Sequence, residues 1–159
     1  MAGTSILTKP LENLRDKIAA STAWQAWTGK GEEDAKGFIF LRAYDAETVT
    51  WPNILLMTGD SWVYEKIAQP NSYWVTDGSI LVRFLEKVDN LFEDPESATE
   101  EEINQAFDDL AVGVLVEICE EAELVDIQRI RRAGGNRRPA KEQIETYGNL
   151  IQGEYEVEY

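Results

Sequence analysis

The sequence predicts an α+β domain: an antiparallel sheet with a mixed edge, packed on one face by a long helix in the C-terminal half and by an N-terminal helix. Three observations predict it. Residues 99–123 place Ile103, Phe107, Leu110, Val114 and Ile118 on one stripe of a 3.6-residue period. Strand-like apolar runs precede and follow that helix without the strand–helix–strand alternation of a parallel sheet. No repeat with a period of about 20 to 50 residues recurs, so the 159 residues form one domain, 1–159. A chain of this length buries about 68–70% of its unfolded surface, enough for a core without metal or disulfide.

The elements follow in order. Leu11, Leu14 and Ile18 give a first amphipathic helix from Pro10 onward, with Pro10 tolerated in its first turn and Leu7 extending its face. Ser21 or Thr22 caps a short second helix bearing Trp24 and Trp27, which Thr28 and Gly29 end. Residues 29–36, with two glycines and three acids, read as an exposed loop and the first candidate for mobility. Residues 37–44 read as a strand covered on both sides or lying at a subunit contact, with Phe38, Phe40 and Tyr44 opposite Ile39, Leu41 and Ala43. Pro52 introduces a strand at 54–57 that Gly59 and Asp60 close. Trp62, Val63 and Tyr64 begin a third, interrupted strand; Pro70, Asn71 and Ser72 mark a turn around Tyr73 and Trp74. Residues 79–86 are the central strand, and Asp94 and Pro95 break the chain before the long helix.

That helix starts on a capping box, Thr99 with Glu102. Its opposite side is apolar too, through Val112, Leu115 and Val116, so it meets a second surface: the first helix of the same chain or a neighbouring subunit. After it, 124–132 form a strand with a bulge near Gln128 or Arg129. The last strand alternates Ile151, Tyr155, Val157 and Tyr159 against Gln152, Glu154, Glu156 and Glu158, with Gly153 interrupting the apolar row.

Composition narrows the function classes. The formal charge is −15, from 30 acids and 15 bases, which opposes general binding to phosphate backbones or anionic membranes. The absence of histidine removes the commonest general base and zinc ligand. Cys119, the single cysteine, reads as a small apolar core residue, and no run approaches the ~20 apolar residues of a membrane span. The expectation is a soluble protein of a reducing compartment that is not an enzyme and takes no cofactor or metal. Gly134 and Gly135 lack the Walker continuation, and the acids around the long helix's start (Glu93, Asp94, Glu96, Glu100, Glu101, Glu102) lack the EF-hand spacing and suit the positive helix end instead. Asp45 with Glu47, or Asp60 with Glu65, would be candidate acid and base pairs, but surface carboxylates are common in this chain and do not point to catalysis.

Two charge clusters remain. Arg129, Arg131, Arg132, Arg137, Arg138 and Lys141 put six bases within thirteen positions, with no interleaved aromatics for stacking on nucleic acid. Glu117, Glu120, Glu121 and Glu123 crowd the C-terminal end of the long helix, where the macrodipole disfavours carboxylates. The arginines compensate them from the same chain or from a neighbouring subunit, and Glu117, Glu120, Glu121, Arg129, Arg131, Arg132, Arg137 and Arg138 are the interface candidates. Trp51, Trp62, Tyr64, Tyr73 and Trp74 pack under loops or form an interface hot spot.

The leading helix, the segment Ala23, Trp24, Gln25, Ala26, Trp27, Thr28, Gly29 before an apolar strand, the long acid-capped helix, and the closing Gly153, Glu154, Tyr155, Glu156, Val157, Glu158, Tyr159 together resemble the small tail-terminator or tail-completion proteins of long-tailed bacteriophages. The resemblance runs over nearly the whole chain in pattern. It implies a virion subunit, assembled in the host cytoplasm, that closes into a hexameric ring and ends tail-tube polymerisation. Its partners would be copies of itself, the tail-tube protein and a neck or head-to-tail connector protein, with DNA passing through the lumen without specific binding and no membrane contact. A head-to-tail connector ring (stopper or adaptor) is the nearest alternative, and an acidic DNA-mimic inhibitor is the alternative from another class.

Overall fold

In the computed structural model, residues 8–43, 49–66, 73–120, 129–132 and 149–158 are described. They form the helices α1 (Thr8–Ala20), α2 (Thr22–Thr28), α3 (Glu32–Lys36) and α4 (Glu100–Glu120), and the strands β1 (Ile39–Leu41), β2 (Asn53–Lys66), β3 (Tyr73–Lys87), β4 (Arg129–Arg132) and β5 (Leu150–Glu158). The sheet order is β1-β2-β3-β5-β4. Only the β1–β2 pair is parallel; the other pairs are antiparallel, so the fold is α+β with a mixed edge.

Strand alternation decides which face the helices cover. Register aligns Leu56 with Val82 and Val82 with Tyr155, and next to them Ile80 with Val157, all buried on one face. Leu11, Leu14 and Ile18 of α1, Trp24 of α2, and Ile103, Phe107, Val114 and Ile118 of α4 close over that face. Gly153, which breaks the apolar row of β5, lies opposite Phe84 in the register. No β5 side chain competes there with the Phe84 ring, which stacks on Trp27 (centroids 5.8 Å apart, planes at 11°) and meets Tyr155 edge-on. Such aromatic pairs add about 0.5–1.5 kcal/mol each beyond the area they bury.

Several elements depart from expectation, each for a local reason. Residues 29–36 contain a helix rather than only a loop: the Trp24 indole donates to the Ala35 carbonyl (3.0 Å), Lys36 pairs with Asp16 of α1 (3.0 Å), and Ala35 is buried. The strand at 37–44 shrinks to three residues because Arg42 turns at φ 67°, its amide bonded to the Leu56 carbonyl (2.8 Å) and its guanidinium to the Thr8 hydroxyl (2.8 Å). Gly59 and Asp60 do not end a strand. The register slips between Thr58 and Trp62, four positions of β2 against two of β3, and one long strand continues to Lys66. Tyr73 and Trp74 lie in β3, not in a turn. Cys119 is exposed, not core, because it falls outside the buried arc of α4. The long helix ends its described span at Glu120; residues 121–128, and with them the proposed bulge at Gln128, lie outside the described residues, while β4 pairs with β5 without a slip from Arg129.

A Cβ built at Gly59 would lie 2.0 Å from the Ser79 hydroxyl oxygen and 3.1 Å from the Ser79 carbonyl oxygen, whereas one at Gly113 on α4 meets nothing within 4 Å. Gly59→Ala is therefore expected to lower stability by about 1–3 kcal/mol in urea denaturation. Gly113→Ala, in an open helical position, is expected to raise it by roughly 0.5–1 kcal/mol; equal effects at both sites would contradict this packing.

Candidate functional site: the flanks of the long helix and the Trp27–Glu86 cleft

α4 is fixed by carboxylates on its two flanks. Asp108 and Glu117 are nine residues apart, about 180° around an α-helix. On one flank the Tyr155 hydroxyl of β5 donates to Asp108 (3.0 Å). On the other, Glu117 reaches the start of α2, accepting from the Thr22 amide (3.0 Å), the Ala23 amide (2.8 Å) and the Thr22 hydroxyl. The Ser21 hydroxyl accepts from the Trp24 amide (3.2 Å). The first three amides of α2 thus find acceptors, which is what a helix start requires. The Thr22 hydroxyl first, then the two backbone amides, hold the Glu117 carboxyl below its ordinary value against the opposing effect of burial. At its own start, α4 carries the expected capping pair: the Glu102 amide donates to the Thr99 hydroxyl (3.2 Å) and that hydroxyl to the Glu102 carboxylate (3.0 Å).

Among the described residues the partners of Glu117 are the Thr22 and Ala23 groups of α2; the expected pairing of arginines with it falls on side chains outside the described residues. The β4 register sets Arg131 opposite Glu156 and Arg129 opposite Glu158, with Arg132 opposite Tyr155. One strand over, Arg83 pairs with Glu154 (2.8 Å). Such a cross-strand pair as Arg83 with Glu154 contributes about 0.2–1 kcal/mol. Glu121, Arg137 and Arg138 lie outside the described residues, as do the side chains of Glu120, Arg129, Arg131 and Arg132.

With α4 held in this rotation, Ile103, Phe107, Ala111, Val114, Leu115 and Ile118 are buried. Of the row foreseen on the opposite side, Leu115 is buried in the core, while Val112 and Val116 remain 42% and 46% exposed and are not covered by α1 of the same chain. Leu110, expected on the buried stripe, lies at its rim and is 37% exposed.

Beside Leu110 opens a cleft of about 480 Å³ whose walls include Trp27, Trp51, Asn90 and Asp109, with Glu86 among its lining residues. The volume lies within the range of small-ligand sites, about 300–1,000 Å³. Glu86 occupies a core-facing position of β3, continuing Ile80, Val82 and Phe84, and is 2% exposed. It accepts from the Trp27 indole (2.9 Å), the Lys87 amide (2.8 Å) and the Asn90 side chain (3.0 Å). Burial pushes its carboxyl up, more than these donors pull it down. Outside the lining, the Lys87 ammonium lies 5.2 Å from the centroid of the Trp51 ring. The lining carries no serine, cysteine, lysine or histidine, and its indoles and carboxylates are the groups that hold cations.

Sequence reasoning missed this cleft. Its one signal was a glutamate at a core-facing strand position, where the alternation calls for an apolar residue. Of the expected aromatic group, Trp51 lines the cleft, while the side chains of Trp62, Tyr64, Tyr73 and Trp74 lie outside the described residues. Among the described residues no group of three or more acids or thiols is placed to hold a metal ion, and no helix is long and apolar enough to cross a membrane. Neither protein-family models nor curated protein sequences give a match to the chain.

Two carboxylates shifted in opposite directions give opposite pH signs. Glu117, held low, contributes stability that is present above its unfolded value near 4.5 and is lost as pH falls through its folded value. Glu117→Ala is expected to cost about 0.5–2 kcal/mol near neutral pH, the worth of a helix cap, and less in acid. Glu86, held high by burial, penalises the fold once ionised. The stability of Glu86→Gln relative to the parent is therefore expected to improve as pH rises from about 4 to about 7. Urea midpoints across that range check both, and parallel pH profiles for the two variants would contradict the assignment.

Proposed function

We propose that the chain is a structural, non-enzymatic subunit of a bacteriophage tail, a tail terminator that works by packing beside copies of itself in a ring. The observation that carries this reading is the outward face of α4. Val112 and Val116, one turn apart, stand exposed there, opposite the face buried in the core, and Leu110 is exposed at the rim of the buried face beside the cleft. An apolar pair on an outward helix face suits the contact of a partner. The order of elements and the mixed-edge sheet agree with the resemblance drawn from sequence. Ring closure joins two different patches of one subunit, and the strongly acidic surface suits a conduit that lets DNA slide rather than holding it. In this reading the ring is a hexamer at the head-proximal end of the tail in the virion. It meets the tail-tube protein on one side and a neck connector on the other.

Sedimentation velocity tests the contact. The parent chain is expected to form a closed oligomer that Val112→Glu with Val116→Glu reduces to monomers of unchanged circular dichroism. A parent that is monomeric at every concentration, with or without tail tubes, would overturn the proposal, and capture by portal rings instead of tubes would favour the connector.

A further inference from the structure

Glu86 is a buried carboxylate whose hydrogen-bond donors are all neutral: an indole, a backbone amide and a side-chain amide. Ion pairs such as Asp16 with Lys36 and Glu154 with Arg83 do not extend to Glu86, on which the Lys87 charge acts only through space. A carboxylate offers about four lone-pair positions. Three donors leave one, in a group that lines an open cleft. An ionised acid removed from water and left without a cation is costly, and the cost is relieved when a cation arrives.

The walls say which cation fits. Trp27 and Trp51 present indoles, and the Trp51 ring already has an ammonium near it. Asp109, exposed, adds a second negative charge at the cleft. A planar guanidinium stacks on an indole while its edge donates to a carboxylate, a combination that a compact, strongly hydrated ammonium does not match. We infer that the Trp27–Trp51–Glu86 cleft is a socket for a guanidinium group, carried by an arginine of a neighbouring copy of this chain.

The socket's chemistry stands on the cleft alone; the source of the arginine rests on the assembly proposed above. β4 supplies a suitable donor, since it is an edge strand among the described strands and, while Arg129 and Arg131 stand in register with Glu158 and Glu156, Arg132 stands in register with Tyr155. Edge strands are the part of a sheet most ready to meet another chain.

Tryptophan fluorescence of the purified chain, titrated with acetyl-arginine amide and with its neutral citrulline counterpart, reads the socket. Saturable quenching by the arginine probe is expected, with binding weakened about tenfold or more for citrulline or in Glu86→Gln, the loss of one charge-assisted hydrogen bond. Trp51→Leu, at a partly exposed wall position, gives a second variant that should weaken the arginine probe should Glu86→Gln disturb folding. No saturable response, or equal response to the two probes, overturns the socket. For the source, acetyl-Arg-Ile-Arg-Arg-amide, the β4 sequence, is expected to displace the small probe and to lower the oligomer fraction. Small-probe binding that this peptide does not displace overturns the neighbouring copy as the source. A chain that is monomeric yet binds the arginine probe fails the assembly proposal and leaves the socket standing.

Discussion

The rotation of α4 about its own axis is the constraint from which the rest of the surface follows. Asp108 and Glu117 project from opposite flanks, one bonded to the Tyr155 hydroxyl and the other to the start of α2. The buried arc of α4, with Ile103, Phe107, Val114, Leu115 and Ile118, is its more apolar side, and burying it turns Val112 and Val116 outward. The polar bonds on both flanks lock the helix in that same rotation.

The same tether builds the cleft. Glu117 fixes where α2 begins, and one turn further on α2 presents Trp27 to Phe84, Phe107 and Glu86. Trp27 thus faces two environments, with its ring in the aromatic core and its N–H on a buried carboxylate. Replacing Glu86 by an apolar residue would fill the same strand position but leave the indole donor and the Lys87 amide unanswered, at about 1–3 kcal/mol for each buried group left unsatisfied. Glu86 is the means by which α2, β3 and the 3₁₀ turn Val88–Asn90 are tied together at the mouth of the cleft.

Much of the fold was legible in the sequence because periodicity carries it. The α4 stripe apart from Leu110, its Thr99 cap, the Ser21 cap of α2 and the alternation of β5 apart from the buried Glu154 fall where the pattern set them. What was not legible depends on contacts distant in sequence. The short helix at 32–36 exists because Trp24 and Asp16 reach it from elements before it. The partner of Glu117 lies 95 residues away, at Thr22, and local charge patterning pointed to the nearer arginines instead. Cys119 reads as core from its neighbours, yet the rotation of α4 leaves it outside. Register likewise placed Arg129 and Arg131 against Glu158 and Glu156, a pairing that only the sheet order reveals.

In the proposed reading, one face of α4 and the sheet build the core of a subunit, while the other face and the adjoining cleft are where a neighbour would sit. Electron microscopy of the purified chain, alone and mixed with tail tubes, tests this most directly. The account predicts rings with a central lumen, seated at one end of each tube; isolated globular particles in both preparations, with bare tube ends, would contradict it.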